Sequence, residues 1–163
     1  MPKYTRQHDQ FNCGPVALLN ALKWAGYPYT LKDLPRLSRL CKCKPGDLGG
    51  TLTCDFDRAL RRYKRLIVLP DDGPFERPYI SMIDEHLDLG GVVVFSYIYK
   101  YHGRVEVSHL TLCIGREGKH YIFANDGQHK LLARRRRKTV VNMLRFSDPL
   151  CGCCDVWFLF QAA

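Results

Sequence analysis

Residues 7–26 constrain the fold of this chain more than any other stretch of the sequence. A Cys-Gly-Pro triplet begins at Cys13, and proline suits the first turn of a helix because its missing N–H would have no partner there. Over residues 16–25 every side chain except Asn20 and Lys23 is apolar, too many for one stripe along a helix. Gly26 is placed to end this run. We therefore predict a central, mostly buried helix that begins at the cysteine.

The position of Cys13 also predicts chemical reactivity. A cysteine in the first turn of a helix lies at the positive end of the helix dipole, among free backbone N–H groups. Both features lower the pKa of the thiol and favour the thiolate, which is the nucleophilic form. The alternative is a buried structural cysteine that starts an ordinary core helix.

The order Gln-x5-Cys-Gly-Pro, followed by Ala, Leu and Leu, resembles the start of a papain-fold cysteine peptidase. The resemblance is closer to the C39 peptidases and C39-like proteins than to papain itself. The papain signature Cys-Gly-[Ser/Ala]-Cys-[Trp/Tyr] is absent, because Gly14 is followed by Pro15 and Val16. The resemblance implies that the side chain of Gln7 and the backbone N–H of Cys13 form an oxyanion hole.

A thiol nucleophile needs a base within hydrogen-bond reach, and that base needs a third group to orient it. Residues 107–115 resemble the family segment in which a histidine begins a strand opposite the cysteine helix, so His109 is the candidate base. His8 is too close to Cys13 in sequence to present its ring correctly. Surface or packing roles suit the histidines at positions 86, 102 and 120.

The third group of a triad is expected at the end of the next strand, where Asn125 and Asp126 precede a glycine. Papain-like enzymes commonly use Asn, whereas the C39 group uses an Asp just before a turn. We favour Asp126 slightly over Asn125. Only one of the two should face His109, because neighbouring strand residues point to opposite faces. The alternative is a polar strand end that simply enters a turn.

The hydrophobic pattern changes along the chain from helical spacing to apolar strand-like runs. Helices are predicted at residues 13–25, at 30–40 with an interruption at Pro35, after a cap at Thr51 or Thr53, and at 79–89. Strands are predicted at residues 66–69, 92–99, 105–114, 121–124 and 155–160, with a helix or an irregular return at 139–146. Helices first and an antiparallel sheet second indicate an α+β fold, which is the layout of the papain-like cysteine peptidase fold.

The length of 163 residues suits one domain with a sizeable core, so residues 1–163 are predicted to form a single papain-like domain. No apolar run approaches the roughly 20 residues of a membrane span. The first residues lack the apolar stretch of a secretory signal. We expect a cytoplasmic protein, with a virion-associated protein or an exported effector as alternatives.

Eight cysteines are many for such a protein, and in a reducing compartment they would be thiols or metal ligands. Six of them form two groups, Cys41, Cys43 and Cys54, then Cys151, Cys153 and Cys154. Together these groups could form a structural zinc site, although their spacing is not the usual Cys-x2–4-Cys. Small apolar packing, or a disulfide formed after oxidation, is the favoured interpretation. No cofactor is expected to be required for catalysis.

The formal net charge of +9 favours acidic partners. Residues 134–138 form the densest run of positive charge, four arginines and a lysine. Such a run is often a solvated loop. Its functional alternative is contact with an acidic partner, either a protein or a nucleic acid.

These observations together favour a cysteine peptidase that cleaves a peptide or isopeptide bond of a peptide or protein substrate. The thiolate of Cys13 would attack the carbonyl, His109 would move the proton, and water would hydrolyse the thioester. One alternative is a non-enzymatic basic protein with the same fold, associated with a virion or a nucleic acid. Another is a cysteine-dependent acyltransferase or amidase.

Overall fold

The computed structural model describes residues 2–46, 50–69, 79–101, 105–125, 131–145 and 156–162. The helices in these ranges are α1 (Cys13–Trp24), α2 (Leu34–Leu40), α3 (Thr53–Leu60), α4 (Tyr79–Asp88) and α5 (Arg137–Arg145). The strands are β1 (Leu66–Val68), β2 (Val92–Tyr101), β3 (Val105–Glu117), β4 (His120–Ala124), β5 (Leu132–Arg136) and β6 (Val156–Gln161). A short 3-10 turn, Leu31–Asp33, precedes α2.

The strands form a six-stranded sheet in the order β1-β6-β2-β3-β4-β5, and every neighbouring pair is antiparallel. Helices α1, α2 and α3 contribute to the core on one side of the sheet, and α4 and α5 to a second core on the other. The α+β prediction, with N-terminal helices on an antiparallel sheet, is therefore confirmed. The last strand, β6, lies between β1 and β2, a long-range pairing that local patterns do not predict.

Helix α1 lies at the centre of the first core, as predicted. All residues from Cys13 to Leu22 are buried, and the helix packs against β3. Gly26 takes a left-handed backbone angle, φ 76°, that glycine adopts at little cost. The N–H groups of Gly26 and Tyr27 then bond the carbonyls of Lys23 and Leu22, which ends the helix.

The interruption predicted at Pro35 is confirmed, because α2 begins at Leu34 and the proline falls in its first turn. Thr30 and Asp33 form a capping box at the preceding 3-10 turn. The cap predicted for α3 is wrong. Leu52 occupies the N-cap position, and no side chain caps the helix. The side chain of Thr51 instead fills the space beside Gly14, so packing against α1 determines its position.

The positively charged run at residues 134–138 was expected to be a solvated loop, but residues 134–136 belong to the edge strand β5, which pairs with β4. The alternation of this strand places Ala133 in the core and leaves Arg134 exposed. Residues 137 and 138 begin α5, so the positively charged run is divided between a strand and a helix. The prediction of a solvated loop is therefore wrong. Of the two alternatives left open for residues 139–146, the structure has the helix as far as Arg145.

The predicted turn at residues 115–118 is shorter in the structure, because β3 continues to Glu117 and Gly118 turns the chain with φ 57°. No helix in the described ranges is long and apolar enough to span a membrane. Several predicted features lie outside the described residues, namely Asp126, His102, His129, Cys151, Cys153 and Cys154.

Candidate active site

A turn formed by Asp9 leads the chain into α1. One carboxylate oxygen of Asp9 accepts the backbone N–H groups of Phe11, at 3.0 Å, and of Asn12, at 2.7 Å. The other oxygen accepts the side-chain amide of Asn12 at 2.6 Å. Asp9 was not among the predicted site residues, although an Asp side chain commonly hydrogen-bonds the main chain two residues further on, as it does here with Phe11. Asp9 therefore fixes the path of the main chain immediately before Cys13.

Gln7 is buried, with 3% of its surface exposed, and each end of the residue is hydrogen-bonded. Its backbone N–H donates to Oδ1 of Asn125 at 2.6 Å, and its Oε1 accepts from Nδ2 of Asn125 at 3.4 Å. Its Nε2 donates to the carbonyl of Asp9 at 2.6 Å. Because an amide nitrogen carries two N–H donors, the bond to Asp9 uses one of them.

Cys13 is the first residue of α1, and 7% of its surface is exposed. Its sulfur is hydrogen-bonded by main-chain N–H groups, including those of Leu110 and Gly14, and these bonds lower the pKa of the thiol. Burial raises the pKa by more, so the net shift is upward. The expectation of a lowered pKa is therefore wrong, because removal from water outweighs the helix start. The shift favours the neutral thiol over the thiolate.

His109 lies on β3 directly opposite Tyr97 of β2 and is 6% exposed. The two rings meet edge to face, with centroids 5.5 Å apart. Nε2 of His109 lies 3.0 Å from the carbonyl oxygen of Asn125. Because a carbonyl only accepts hydrogen bonds, Nε2 carries the proton of the neutral ring. Nδ1 is then the basic nitrogen.

The site lies where β4 leaves β3. Pairing between the two strands ends at Leu112 and Ala124, and Asn125 then takes a left-handed conformation with φ 62°. Asparagine tolerates this conformation better than most residues. The N–H of Asn125 donates to the carbonyl of Leu131 at 2.9 Å, which directs the chain towards β5. The sulfur of Cys13 meets Leu110, two residues beyond the last pair of the two strands.

Four of the five predicted site residues are thus brought together. Asn125 contacts Gln7 through its side chain and His109 through its backbone carbonyl, and the thiol of Cys13 bonds the residue that follows His109. We expected a side chain to orient His109. In the structure the backbone carbonyl of Asn125 makes this contact. Asp126 lies outside the described residues, so its role stays a prediction.

Gly14 has a steric reason to be glycine. A Cβ atom at this position would lie 2.6 Å from Oγ1 of Thr51, closer than such atoms approach in folded proteins. The tight contact places α1 directly against the segment that leads into α3. Sequence patterns gave no signal for Thr51 beyond its place before the helix.

Two further cysteines lie near Cys13. Cys41 is buried, and Cys43 is partly exposed, with its sulfur 3.2 Å from the carbonyl of Phe11. Burial raises the pKa of both thiols. Among the described residues no group of three or more His, Cys, Asp or Glu side chains could hold a metal ion. The C-terminal cysteines of the zinc hypothesis lie outside these residues, so that hypothesis stays untested.

No protein-family model and no curated protein matches this sequence. Among the solved structures that match, two cover nearly the whole chain. The peptidase domain of Streptococcus ComA, a bifunctional ABC transporter of a quorum-sensing pathway, aligns with a TM-score of 0.66 and 15% identity, covering 99% of this chain and 100% of that domain. A Bacillus anthracis protein described as a C39-like peptidase aligns with a TM-score of 0.64 and 11% identity, covering 98% and 94%. The chain therefore has the papain-like fold of the C39 peptidases.

Proposed function

We propose that this chain is a cysteine peptidase that hydrolyses a peptide or isopeptide bond through a thioester intermediate. The observation that carries the proposal is the double contact of Asn125, which binds Gln7 and His109 beside the thiol of Cys13. Asn125 thereby links Gln7, the proposed oxyanion donor, to His109, the proposed base. Both lie beside the start of α1, where Cys13 is the proposed nucleophile. The likeness of the fold to C39 peptidases supports the same reading.

The first step is acylation of Cys13. As the sulfur attacks the substrate carbonyl carbon, its proton passes to Nδ1 of His109, which is the unprotonated nitrogen of the neutral ring. The resulting imidazolium is stabilised because Nε2–H donates to the carbonyl of Asn125. It then protonates the leaving amine as the C–N bond breaks, which leaves a thioester on Cys13.

A neutral resting thiol makes proton transfer part of the attack. Since burial favours the neutral thiol, the proposed mechanism does not require a thiolate–imidazolium pair before the substrate arrives. The base is needed at the moment of bond formation, and hydrogen bonds of this kind often tighten only when substrate is bound. His109 therefore acts as a general base in the proposed mechanism.

The tetrahedral intermediate places negative charge on the former carbonyl oxygen. The second Nε2–H of Gln7 and the backbone N–H of Cys13 are the proposed donors to this oxygen. Each such donor contributes about 3 kcal/mol to the stability of the transition state. The bonds of Gln7 to Asp9 and Asn125 hold the amide in place before the substrate binds. Water then attacks the thioester with His109 again as the base.

The test is alkylation of the native protein with iodoacetamide at neutral pH, with each modified cysteine located by mass spectrometry. Exposed Cys54 serves as an internal reference for an ordinary thiol. We expect Cys13 to react at neutral pH in the native protein. In the variant His109→Ala, its reaction should require a pH above about 8.5, the ordinary pKa of a thiol, because burial raises the pKa of Cys13 and no base then removes its proton. The labelling of Cys54 should not change.

Hydrolysis is measured in parallel on a mixed peptide library, with cleavage products identified by mass spectrometry. The variant Cys13→Ala should produce no fragments while it keeps the melting temperature of the native protein. Cleavage that persists in this variant, or a Cys13 thiol that reacts identically with and without His109, would contradict the proposal.

A further inference from the structure

A groove of about 430 Å³ lies between α2 and the end of α3. Three arginines line it, Arg36 and Arg39 from α2 and Arg62 from the residues after α3. All three side chains are exposed. Leu40 and Tyr63 supply its apolar part. The volume falls in the range of roughly 300–1,000 Å³ that ligand sites occupy.

The three arginines have no ion-pair partner among the described residues, because nearby carboxylates are engaged elsewhere. Asp33 caps the turn before α2, and Asp57 pairs with Arg61. Asp55 pairs with both Lys42 and Arg58. Like charges that share a groove repel one another, and an anion bound between them relieves that repulsion. The groove is therefore set up to bind negative charge.

The positively charged run at residues 134–138 is arranged differently. Arg134 pairs with Glu117, and Arg137 pairs with Asp84 and with the hydroxyl of Tyr121. Part of the charge that dominates the sequence is thus neutralised within the fold. Arg36 and Arg39 lie one turn apart on α2, and Arg62 joins them only in the folded chain. The groove thus brings together three exposed guanidinium groups around an apolar floor.

The floor of the groove favours a peptide over a nucleic acid. The ring of Tyr63 is buried, and the rings of Tyr27 and Tyr29 pack against it with centroids 5.5 Å and 5.9 Å away. A base would need an open aromatic face on which to stack, and Tyr63 does not offer one. An aliphatic side chain of a peptide can instead contact Leu40, which is only partly buried.

We propose that this groove binds an acidic segment of a partner protein, in which Asp or Glu residues flank an apolar side chain. The planar guanidinium groups of Arg36, Arg39 and Arg62 match carboxylates with paired hydrogen bonds. Leu40 and the edge of Tyr63 receive the apolar side chain. The proposal rests on the groove alone and does not depend on catalysis at Cys13.

Binding is tested by fluorescence anisotropy at low ionic strength, with a short fluorescein-labelled peptide of alternating Glu and Leu. The full chain is compared with the triple variant R36Q/R39Q/R62Q. The matched control is R136Q/K119Q/K138Q, which removes the same charge from exposed side chains near β4 and α5. We expect the groove variant to bind about tenfold more weakly or worse, and the control to change affinity less than about twofold. Unchanged melting temperatures establish that all three proteins are folded.

Two further probes distinguish the occupants. A peptide of alternating Gln and Leu should bind far more weakly than the acidic peptide, because it lacks the carboxylates. The second probe is a labelled oligothymidylate. If it binds more tightly than the acidic peptide and loses its affinity in the groove variant, the ligand of the groove is a nucleic acid and the proposal is overturned. Equal losses in the groove variant and its control, or no binding of the acidic peptide, would also overturn it.

Discussion

On the side of the sheet covered by α1, the buried amide side chains of Asn20 and Gln7 bind the main chain. On the side covered by α4 and α5, the carboxylate of Asp84 instead binds side chains of two other elements. Asn20 of α1 accepts the N–H of Thr5 at 2.7 Å and donates to its carbonyl at 2.9 Å. On the other side, Asp84 accepts from Tyr121 and Arg137. Amides that bind backbone fix the position of a chain segment, while charged pairs dock whole elements on each other.

Because of this difference, we expect substitutions on the two sides of the sheet to have different effects. The segment fixed by Asn20 continues to Gln7, whose own backbone is fixed by Asn125. Variants on the α1 side should therefore alter both stability and the proposed peptidase activity. Variants on the other side should alter stability alone.

The largest loss of stability is expected for Asn20→Ala. Asn20 is completely buried, and its removal leaves the N–H and carbonyl of Thr5 without partners in the interior. We expect a loss of about 2–4 kcal/mol in the free energy of unfolding, measured by urea denaturation. Activity per folded molecule should also fall, because Gln7 loses part of its support. Asn142→Ala, on the exposed face of α5, is the control and should change stability by less than about 0.5 kcal/mol.

Gly14→Ala should have the next largest effect. Near a helix start this change is usually tolerated or favourable, but here the new methyl group meets Thr51 at 2.6 Å. We expect a loss of about 1–3 kcal/mol from overpacking. Thr51→Gly in the same chain removes both atoms nearest the new methyl group, Oγ1 at 2.6 Å and Cβ at 2.7 Å. It should recover much of that loss, which a double-mutant cycle measures directly. Losses that simply add would show that the contact between Gly14 and Thr51 is not the reason for the glycine.

Asp84→Asn tests the other side of the sheet. The substitution keeps the shape of the side chain but removes the charge that Arg137 and Tyr121 contact. Hydrogen bonds to charged groups contribute about 1.5–3 kcal/mol, and partial exposure of this cluster places the expected loss near the lower end. Peptidase activity, corrected for the folded fraction, should stay unchanged. A fall in corrected activity comparable to that of Asn20→Ala would remove the distinction between the two sides.

The features that sequence patterns predicted are those encoded by neighbouring residues. Helix α1, the restart at Pro35 and the placement of His109 on a strand all follow from local spacing. The contact of Asn125 with Gln7 joins residues 118 positions apart, and no local pattern encodes it. The same reason explains why the groove arginines were not grouped together and why β5 was read as a loop. A strand rich in arginine forms there because β4 supplies its hydrogen-bonding partner.

The sign of the pKa shift at Cys13 teaches the same lesson in electrostatic terms. The helix start was visible in the sequence, but the depth of burial was not. Because desolvation of a thiolate in the interior exceeds the benefit of a few N–H groups, the net shift is upward. Burial is set by the packing of distant elements, so it had to be observed.

The smallest expected effect is a pH dependence of stability caused by His86. This residue lies on α4, on the same side of the sheet as Asp84, but it contacts the main chain rather than a charged side chain. His86 is buried, and its Nε2 lies 2.9 Å from the carbonyl of Leu159 and 3.2 Å from that of Val92. Burial lowers its pKa below the ordinary value of 6.5. As the pH falls below that value, the unfolded chain binds a proton here that the folded chain does not. Stability is therefore lost between 6.5 and the lower pKa of the folded state.

His86→Gln should flatten this slope, because glutamine keeps an N–H donor for the carbonyls but does not titrate in this range. The total loss of stability across this pH range is about 1.4 kcal/mol for each unit by which the pKa of His86 is lowered. Urea denaturation between about pH 5 and pH 8 measures it. His8→Gln, at an exposed position, is the control and should leave the slope unchanged. If both variants keep the native slope, His86 is not the titrating group. Its contacts with the main chain would then make no contribution to the pH dependence of stability.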